Sequence, residues 1–434
     1  MIIEYCFGNY RSFKEKTQFS MRATSQTTFN DTLIRDFDER ILPSSVIYGA
    51  NASGKSNIIS SLQTFREIVV AGSISNNTPT LSNLELCPFV HDENPSPIFW
   101  AIDFANNGKR FYYELQIKVG RLKKDNRLIH YESLSLVQNK KRIPIFTRTE
   151  NNVQISKESK ILDFMDMEDS LVKSLEDKLN DNLDSLELFL SRGFKNTISS
   201  DIADIVIDFF SQKLFAVKDF TQQSFNLRIQ SEQEMGKNFS IWNGILDSFV
   251  KGADFGPQRI FFRKKNDDDD HAADMKLFSA YKNKDTNVFI PAEYMESKGT
   301  LKLIDFAIAF QTIFPQGGIF IIDEFDAALH PELVKGIISL FNNPKFNTKG
   351  SQLIFTTHNP IYLNNKIFRR DQIRFVEKDK ATFQSALYSL ADFGSTDVRN
   401  DENFLINYFK GKYSTLPYID FASLLRKTVD NEDV

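Results

Sequence analysis

Eight consecutive residues have types and spacing suited to binding phosphate groups. They run Gly49-Ala50-Asn51-Ala52-Ser53-Gly54-Lys55-Ser56, after an apolar segment and before an amphipathic one. Two glycines separated by four residues let the backbone curl so that its amide groups face phosphates. The lysine then reaches the terminal phosphates, and the serine hydroxyl binds Mg²⁺. The pattern predicts a loop for ATP and Mg²⁺ between a strand and a helix. Its cofactor-binding residues would be Gly49, Asn51, Ser53, Gly54, Lys55, Ser56 and Asn57, with Ser56 also ligating the metal.

Paired carboxylates end a second apolar segment, GGIFIIDEFD at 317–326. Strand ends in an open parallel sheet point side chains into the crevice where ligands bind. Asp323 is therefore predicted to ligate Mg²⁺, and Glu324 is predicted to be a catalytic residue that polarises the attacking water. An apolar segment ending in Asp-Glu is common by itself, so this prediction depends on the glycine-containing loop in the same chain.

Two further candidates follow from their place in the order of segments. The apolar segment SQLIFTTHN leads to His358, which would share the crevice and act as a second catalytic residue on the γ-phosphate or the attacking water. Ser297 and Gly299 precede a helical pattern, where a hydroxyl, a glycine and a helix N-terminus can form an anion site. Ser and Gly are also ordinary capping residues, so this second pattern is weak alone.

The segments between these candidates predict the framework that holds them. Residues 1–20 and 46–69 predict an opening strand, then strand, loop and helix. Residues 85–156 have the pattern of an antiparallel meander. From about 158 to 250, through IADIVIDFFSQKLFAV, apolar residues recur at helical spacing. Residues 285–425 alternate between strand and helix patterns, as in a parallel sheet covered by helices.

An insertion is predicted because Lys55 and Asp323 lie 268 positions apart, more than one sheet and its crossovers require. The chain is predicted to divide into four parts. They are an N-terminal part of an ATPase domain (1–84), a β-rich lobe of that domain (85–157), an inserted mainly helical lobe (158–284) and a C-terminal part of the ATPase domain (285–434).

Composition narrows the classes of protein. Lysine and arginine number 53 against 57 acidic residues, for a net charge of −4, so charge does not indicate nucleic-acid binding, although a local basic patch is possible. The two cysteines have no metal-binding spacing and predict a reduced protein. No apolar run reaches the ~18–20 residues that span a bilayer, which predicts a cytoplasmic protein with no membrane partner. The acidic run at 267–270 is interpreted as a solvated loop.

Taken in order, these four elements resemble those of the ABC-type ATPases of the SMC, RecF and OLD lineage. The loop at 49–56 resembles the Walker A loop, Asp323 and Glu324 the Walker B carboxylates, Ser297 and Gly299 the signature loop, and His358 the switch histidine. The resemblance implies an α/β fold: a P-loop ABC-type ATPase with mixed sheet and helices, plus an inserted β-meander and helical lobe.

Other segments extend the resemblance. FGNYRSF at 7–13 resembles the family's adenine-side segment, which implies that Asn9 and Arg11 lie near the base, and DAALHP at 326–331 resembles the D-loop that contacts a facing subunit. The Pro-Phe pair at 88–89, the ESKGT form of the signature loop and the C-terminal tail look like the compact ATPases of bacterial phage-defence systems, such as AbiL/RloA-type proteins and the ATPase subunit of the PARIS system.

This resemblance implies a function. It implies a homodimer or higher homo-oligomer with composite ATP sites, acting as the sensor or regulatory ATPase of an abortive-infection system that controls an effector protein encoded nearby. Two departures from the family pattern matter. Lys298 stands where the family has a glycine, and no glutamine can be assigned to the Q-loop.

Two alternatives remain open at this point. A DNA-repair or SMC-like ATPase would act directly on DNA, and basic clusters at 123–124, 140–142 and 263–265 could touch phosphates, although solvated turns explain them as well. An OLD-type ATP-gated nuclease is disfavoured, because VEK at 376–378 lacks the expected glycine and no DxD pair follows.

Overall fold

A computed structural model of the chain describes residues 1–75, 85–89, 96–120, 127–217, 240–242, 259–264, 275–283, 286–394, 398–399 and 402–413. Three features of the sequence lie outside the described residues: the acidic run at 267–270, the basic pair at 123–124 and the last part of the C-terminal tail, 414–434.

The first strand and the meander share one antiparallel sheet. The elements in chain order are β1 (Ile2–Gly8), β2 (Thr17–Ser20), β3 (Ile34–Asp36), β4 (Glu39–Ile41), β5 (Ser44–Gly49), α1 (Lys55–Ala71), β6 (Ile98–Asn106), β7 (Lys109–Val119), β8 (Arg127–Gln138), β9 (Lys141–Thr149) and β10 (Val153–Ile155). Seven of these strands pair in the order β10-β9-β8-β7-β6-β1-β2, all antiparallel. The predicted meander is confirmed, and β1 continues it.

A helical segment follows, but it ends earlier than the sequence predicts. It contains α2 (Ser159–Met165), α3 (Asp169–Asp181), α4 (Lys195–Thr197) and α5 (Ser200–Asp208), and it leads to the strand β11 (Leu214–Val217). The helical prediction was therefore wrong for the last residues of IADIVIDFFSQKLFAV. A four-residue apolar run has no period that separates strand from helix. A π-helical turn at Phe209–Lys213 ends the helix, and the strand is buried at both ends.

The next described strands form a separate four-stranded antiparallel sheet. They are β12 (Ser240–Trp242), β13 (Arg259–Lys264), β14 (Met275–Asn283) and β15 (Thr286–Pro291), paired in chain order. The described residues of 218–284 are strands, so the helical prediction for 158–250 was wrong at 240–242, whereas the inserted lobe at 158–284 stays a prediction. A second expectation also fails. The segment NVFIPAEY pairs with β14, not with the parallel sheet. An alternating pattern of apolar residues predicts a strand but does not identify its partner strand.

The remaining elements complete the sheet that carries the phosphate loop. They are α6 (Ala292–Met295), α7 (Lys298–Ile313), β16 (Ile319–Ile322), α8 (Pro331–Asn342), β17 (Gln352–Thr356), β18 (Ile373–Lys378), β19 (Ser385–Ser389) and α9 (Phe404–Phe409). The sheet order is β11-β16-β17-β5-β18-β19, parallel except for β19. Parallel strands place their carboxyl ends at one edge. The α/β fold class is therefore confirmed, and the three predicted strand-end sites meet at one edge.

A buried glutamine joins the two large sheets. The side chain of Gln352, at the start of β17, accepts a hydrogen bond from the Ile2 amide (2.7 Å) and donates to the carbonyl oxygens of Ile2 (2.9 Å) and Leu42 (3.2 Å). One core cluster packs the meander and α1 against one face of the parallel sheet, and a second packs α7 and α8 against the other face. Among the described residues, no helix is both long and apolar enough to span a bilayer.

Candidate nucleotide-binding site

The loop between β5 and α1 has the tight form that its glycines predict. A side chain at Gly49 would place its Cβ 2.4 Å from the Val376 carbonyl oxygen. Gly54, the residue before α1, has φ +113°, and a Cβ there would lie 2.6 Å from the Ser385 hydroxyl. Only glycine avoids both the clash and the backbone strain. The loop therefore curls back on itself before the helix begins.

Lys55 lies across this loop. Its ammonium donates hydrogen bonds to the carbonyl oxygens of Gly49 (2.9 Å) and Ala50 (3.0 Å), and the residue is only 5% exposed. Burial lowers the pKa of Lys55 to about 8, although the carboxylates of Asp323 and Glu324 oppose that shift. A lysine has three N–H donors, so one remains available for a ligand.

The side chains of this loop fit an anionic phosphate chain. The Ser53 hydroxyl is buried and has no hydrogen-bond partner in the part of the chain that the structure describes. Ser56 is exposed at the first turn of α1, and Asn51 is exposed on the loop. A buried hydroxyl without a partner is costly unless a ligand completes its hydrogen bonding. With the curled backbone and the Lys55 ammonium, it forms a donor set suited to phosphate, and the exposed Ser56 hydroxyl offers an oxygen ligand for Mg²⁺.

A hydrogen-bonded support behind the loop was missed by sequence reasoning. The Ser385 hydroxyl, at the start of β19, donates to the Ser53 carbonyl (2.6 Å) and lies 2.8 Å from the Ser12 hydroxyl. Asn57 Nδ2 donates to the same Ser12 oxygen (2.8 Å). Asn57, predicted to bind the cofactor, thus also braces the loop. Serines this far apart in sequence carry no signal that would have found them.

The predicted adenine-side residues have protein partners. Asn9 Oδ1 accepts a hydrogen bond from the Phe89 amide (2.9 Å), and its Nδ2 donates to the Ser96 carbonyl. Arg11 forms an ion pair with Glu85 (2.5 Å). Both residues have left-handed backbone, with φ 49° at Asn9 and 51° at Arg11. They fasten residues 85–89 and Ser96 beside β1, and their contact with a base stays a prediction.

Thr356 bridges the two carboxylate positions at the end of β16. Its hydroxyl donates to Asp323 Oδ1 and accepts a hydrogen bond from the Glu324 amide (2.8 Å). Thr356 is fully buried at the end of β17, between β16 and β5. Glu324 has left-handed backbone, φ 45°, and a side chain 57% exposed. The strained turn, of a kind found at functional sites, leaves its carboxylate at the surface.

His358 follows β17 and lies beside Glu324. Its Nε2 is 3.8 Å from Glu324 Oε1. Burial and the nearby Lys55 charge lower the pKa of His358, against the opposing effect of the carboxylates of Glu324, Asp326 and Asp323. An imidazole that is neutral at pH 7 both donates and accepts a hydrogen bond. The structure therefore brings Lys55, the two carboxylates and His358 to one edge of the sheet.

Ser297 and Gly299 lie against the segment that follows β16. The Ser297 hydroxyl caps α7 by accepting a hydrogen bond from the Thr300 amide (3.1 Å). A Cβ at Gly299 would lie 2.1 Å from the Ala328 carbonyl oxygen, so the two backbones touch. Lys302 donates to the Glu324 carbonyl (2.7 Å). In the described part of the chain, no hydrogen bond or ion pair connects Ser297 to the phosphate loop.

The sequence matches a known family over residues 44–364, most of the chain. That family is described as "AAA domain, putative AbiEii toxin, Type IV TA system". The chain belongs to this family. The protein is thus a P-loop ATPase, which confirms the predicted enzyme class and the resemblance to ATPases of abortive-infection systems. P-loop ATPases act on nucleotide, usually with Mg²⁺.

Two solved structures with likeness to this AAA-family ATPase are SMC heads. One is the SMC head domain from Thermotoga maritima: 15% identity, TM-score 0.36, 89% of this chain and 98% of that chain covered. The other is the Smc head domain with an extended coiled coil bound to the C-terminal domain of ScpA, from Pyrococcus furiosus: 15% identity, TM-score 0.39, 89% and 96% covered. No curated protein matches the sequence.

The Thr356 bridge leads to a kinetic prediction. Thr356→Val removes the hydroxyl and leaves the Glu324 amide and Asp323 without their partner. We expect kcat for ATP hydrolysis to fall roughly 10- to 100-fold, as for other groups that orient a reacting site, with little change in ATP binding. Thr356→Ser, which keeps the hydroxyl, is the control and should retain most activity. Equal turnover in the valine variant would show that the bridge does not position the carboxylates.

The low pKa of Lys55 leads to a pH prediction. In the free protein the ammonium loses its proton as pH rises through about 8, whereas bound phosphates favour the charged form. The affinity for ATP should therefore fall above this pH by up to about tenfold per pH unit, measured by calorimetry. Lys55→Arg stays charged, so its binding, although weaker, should not show this decline. The same decline in Lys55→Arg would assign the titration to another group.

Proposed function

We propose that this ATPase is a nucleotide-operated switch in which two chains share each ATP. One observation carries the proposal. Gly299 and Lys302 fasten the start of α7 to the segment after β16, and no described contact joins Ser297 to the phosphate loop of the same chain. A single chain then supplies two separate half-sites. A second copy, placed head to tail, would bring its Ser297 and Gly299 to the phosphates held by the first.

The geometry supports a role for each residue in such a site. The loop amides with Ser53 and Lys55 would hold the phosphates, and Ser56 and Asp323 would ligate Mg²⁺. Glu324, exposed beside the loop, would orient and polarise the attacking water, and His358 would hydrogen-bond the γ-phosphate. When bound, Mg²⁺ neutralises charge that develops on the transferred phosphoryl group.

We further propose that the switch regulates an effector encoded nearby in an anti-phage system. The family description names a toxin–antitoxin system, which supports a two-component arrangement. The seven-stranded sheet and the four-stranded sheet provide surface beyond that needed for ATP hydrolysis. ATP-dependent association of two chains would expose or cover such surface, which is how a nucleotide switch controls a partner.

Mixing two inactive variants tests the shared site. Ser297→Arg places a bulky cation at the surface that should face the other chain's phosphates, and Lys55→Ala disables the phosphate loop. Each variant alone should be inactive. Mixed in equal amounts they should recover roughly a quarter of wild-type ATPase activity, because half of the dimers are mixed and each holds one complete site. Ser297→Ala is the control that removes the hydroxyl without adding the bulk and charge of arginine. No recovery in dimers shown to be mixed would refute the shared site.

The regulatory role has its own test. The purified chain should hydrolyse ATP without cutting DNA or RNA, and expressing it with its neighbouring gene should arrest the growth of phage-infected cells. Glu324→Gln should still bind ATP but abolish the arrest, because the switch cannot complete its cycle. Divalent-ion-dependent cleavage by the chain alone that survives Glu324→Gln would favour a nuclease. Protection that persists after deletion of all neighbouring genes would contradict an encoded effector.

A further inference from the structure

The four-stranded sheet β12–β15 has two faces of opposite character. The pairing register places every second residue of each strand on one face, because side chains alternate along a strand. Trp242 pairs with Phe261, Phe261 with Phe278, and Phe289 with Ala280, two positions along from Phe278. We call this side, with these four aromatic positions, the aromatic face.

The opposite face is the one that packs on the ATPase domain. Ile260 is fully buried against Ile304 and Ala307 of α7. Tyr281, also on that face, donates a hydrogen bond to Glu296 (2.7 Å), just before Ser297. The sheet thus packs on α7 through Ile260 on one side, and its aromatic face lies on the other.

Three phenylalanine rings form one cluster on the aromatic face. The ring centroids of Phe261 and Phe278 are 5.8 Å apart with planes 16° apart, and the Phe289 ring stands edge-on to Phe261 at 5.3 Å. Phe289 is 54% exposed, and the other two are half-buried. Leaving clustered aromatic area in water is unfavourable. Clustered rings at a surface therefore indicate a ligand that covers them.

Four described strand positions of this face are basic, and none of its described strand positions is acidic. The register places Arg259, Arg263, Lys276 and Lys282 there. The chain as a whole has a net charge of −4, whereas these four positions are all positive. Basic groups around exposed rings match a ligand that is both anionic and aromatic.

We propose that the aromatic face binds single-stranded DNA. Unpaired bases stack on aromatic side chains, and the basic positions neutralise the backbone phosphates; a duplex would hide its base faces from the rings. DNA and RNA share this stacking chemistry, and oligo(U) of equal length separates them in the measurements below. The binding of single-stranded DNA does not depend on the proposed function. Only an effect of bound DNA on ATP turnover, transmitted through α7 and Ser297, would depend on it.

Binding is measured with the full chain and no nucleotide, by fluorescence anisotropy of labelled oligo(dT) of about 20 nucleotides. Phe289→Ala should raise the Kd about tenfold or more, because a stacking surface is lost. The matched control is Phe346→Ala, since Phe346 is 60% exposed outside this sheet. Thermal melting shows whether each variant is folded.

A variant with two reversed charges provides an independent test of binding. Arg263→Glu with Lys276→Glu should abolish binding or lower the slope of log K against log salt by about 1.4. Lys345→Glu with Lys349→Glu, at two exposed turn positions outside this sheet, makes the same charge change and should leave both the affinity and the salt slope unchanged. The proposal is overturned if wild type does not bind oligo(dT), if both face variants bind it as their controls do, or if oligo(U) of equal length binds more tightly. It is also overturned if Phe289→Ala converts a dimer to a monomer, because the face would then be a protein interface.

Discussion

The parallel pairing of β16, β17 and β5 forces three polar strand ends to one edge of the six-stranded sheet. Because β17 lies between the other two, its last residue, Thr356, touches the carboxylate turn on one side while the phosphate loop follows β5 on the other. The carboxylates of Asp323 and Glu324 act on the Lys55 ammonium because this strand order brings them to the same edge. The chemistry at this edge is a consequence of strand order.

The sequence predicted the parts of the site that are local. Gly49, Gly54 and Lys55 form one short pattern whose geometry follows from backbone freedom and one cation, so its fold is recognisable without tertiary information. Ser12 and Ser385 were not predictable, because a serine becomes a support only when two distant segments meet. The predictions for the strand at 214–217 and for the pairing of β15 were wrong for a related reason. A short apolar run identifies neither its own secondary structure nor the strand beside it.

The abundance of phenylalanine, 41 residues, has a structural use. On one side of the parallel sheet, Phe65 stacks with Trp100 and Tyr113 at 5.9 Å. On the other side, Phe320 contacts Phe341 at 5.5 Å. Large rings fill wide gaps between layers with few side chains and little rotamer entropy to lose. Two stiff aromatic layers therefore hold the sheet that carries the nucleotide site.

The contact between Gly299 and Ala328 has a mechanical consequence. With no side chain between them, the two backbones have no compliant part, and Lys302 adds a second fastening to the Glu324 carbonyl. A rigid-body shift of α7 would therefore carry the turn at Glu324 with it. Because the four-stranded sheet packs on α7 through Ile260, a displacement of that sheet would reach the candidate nucleotide-binding edge.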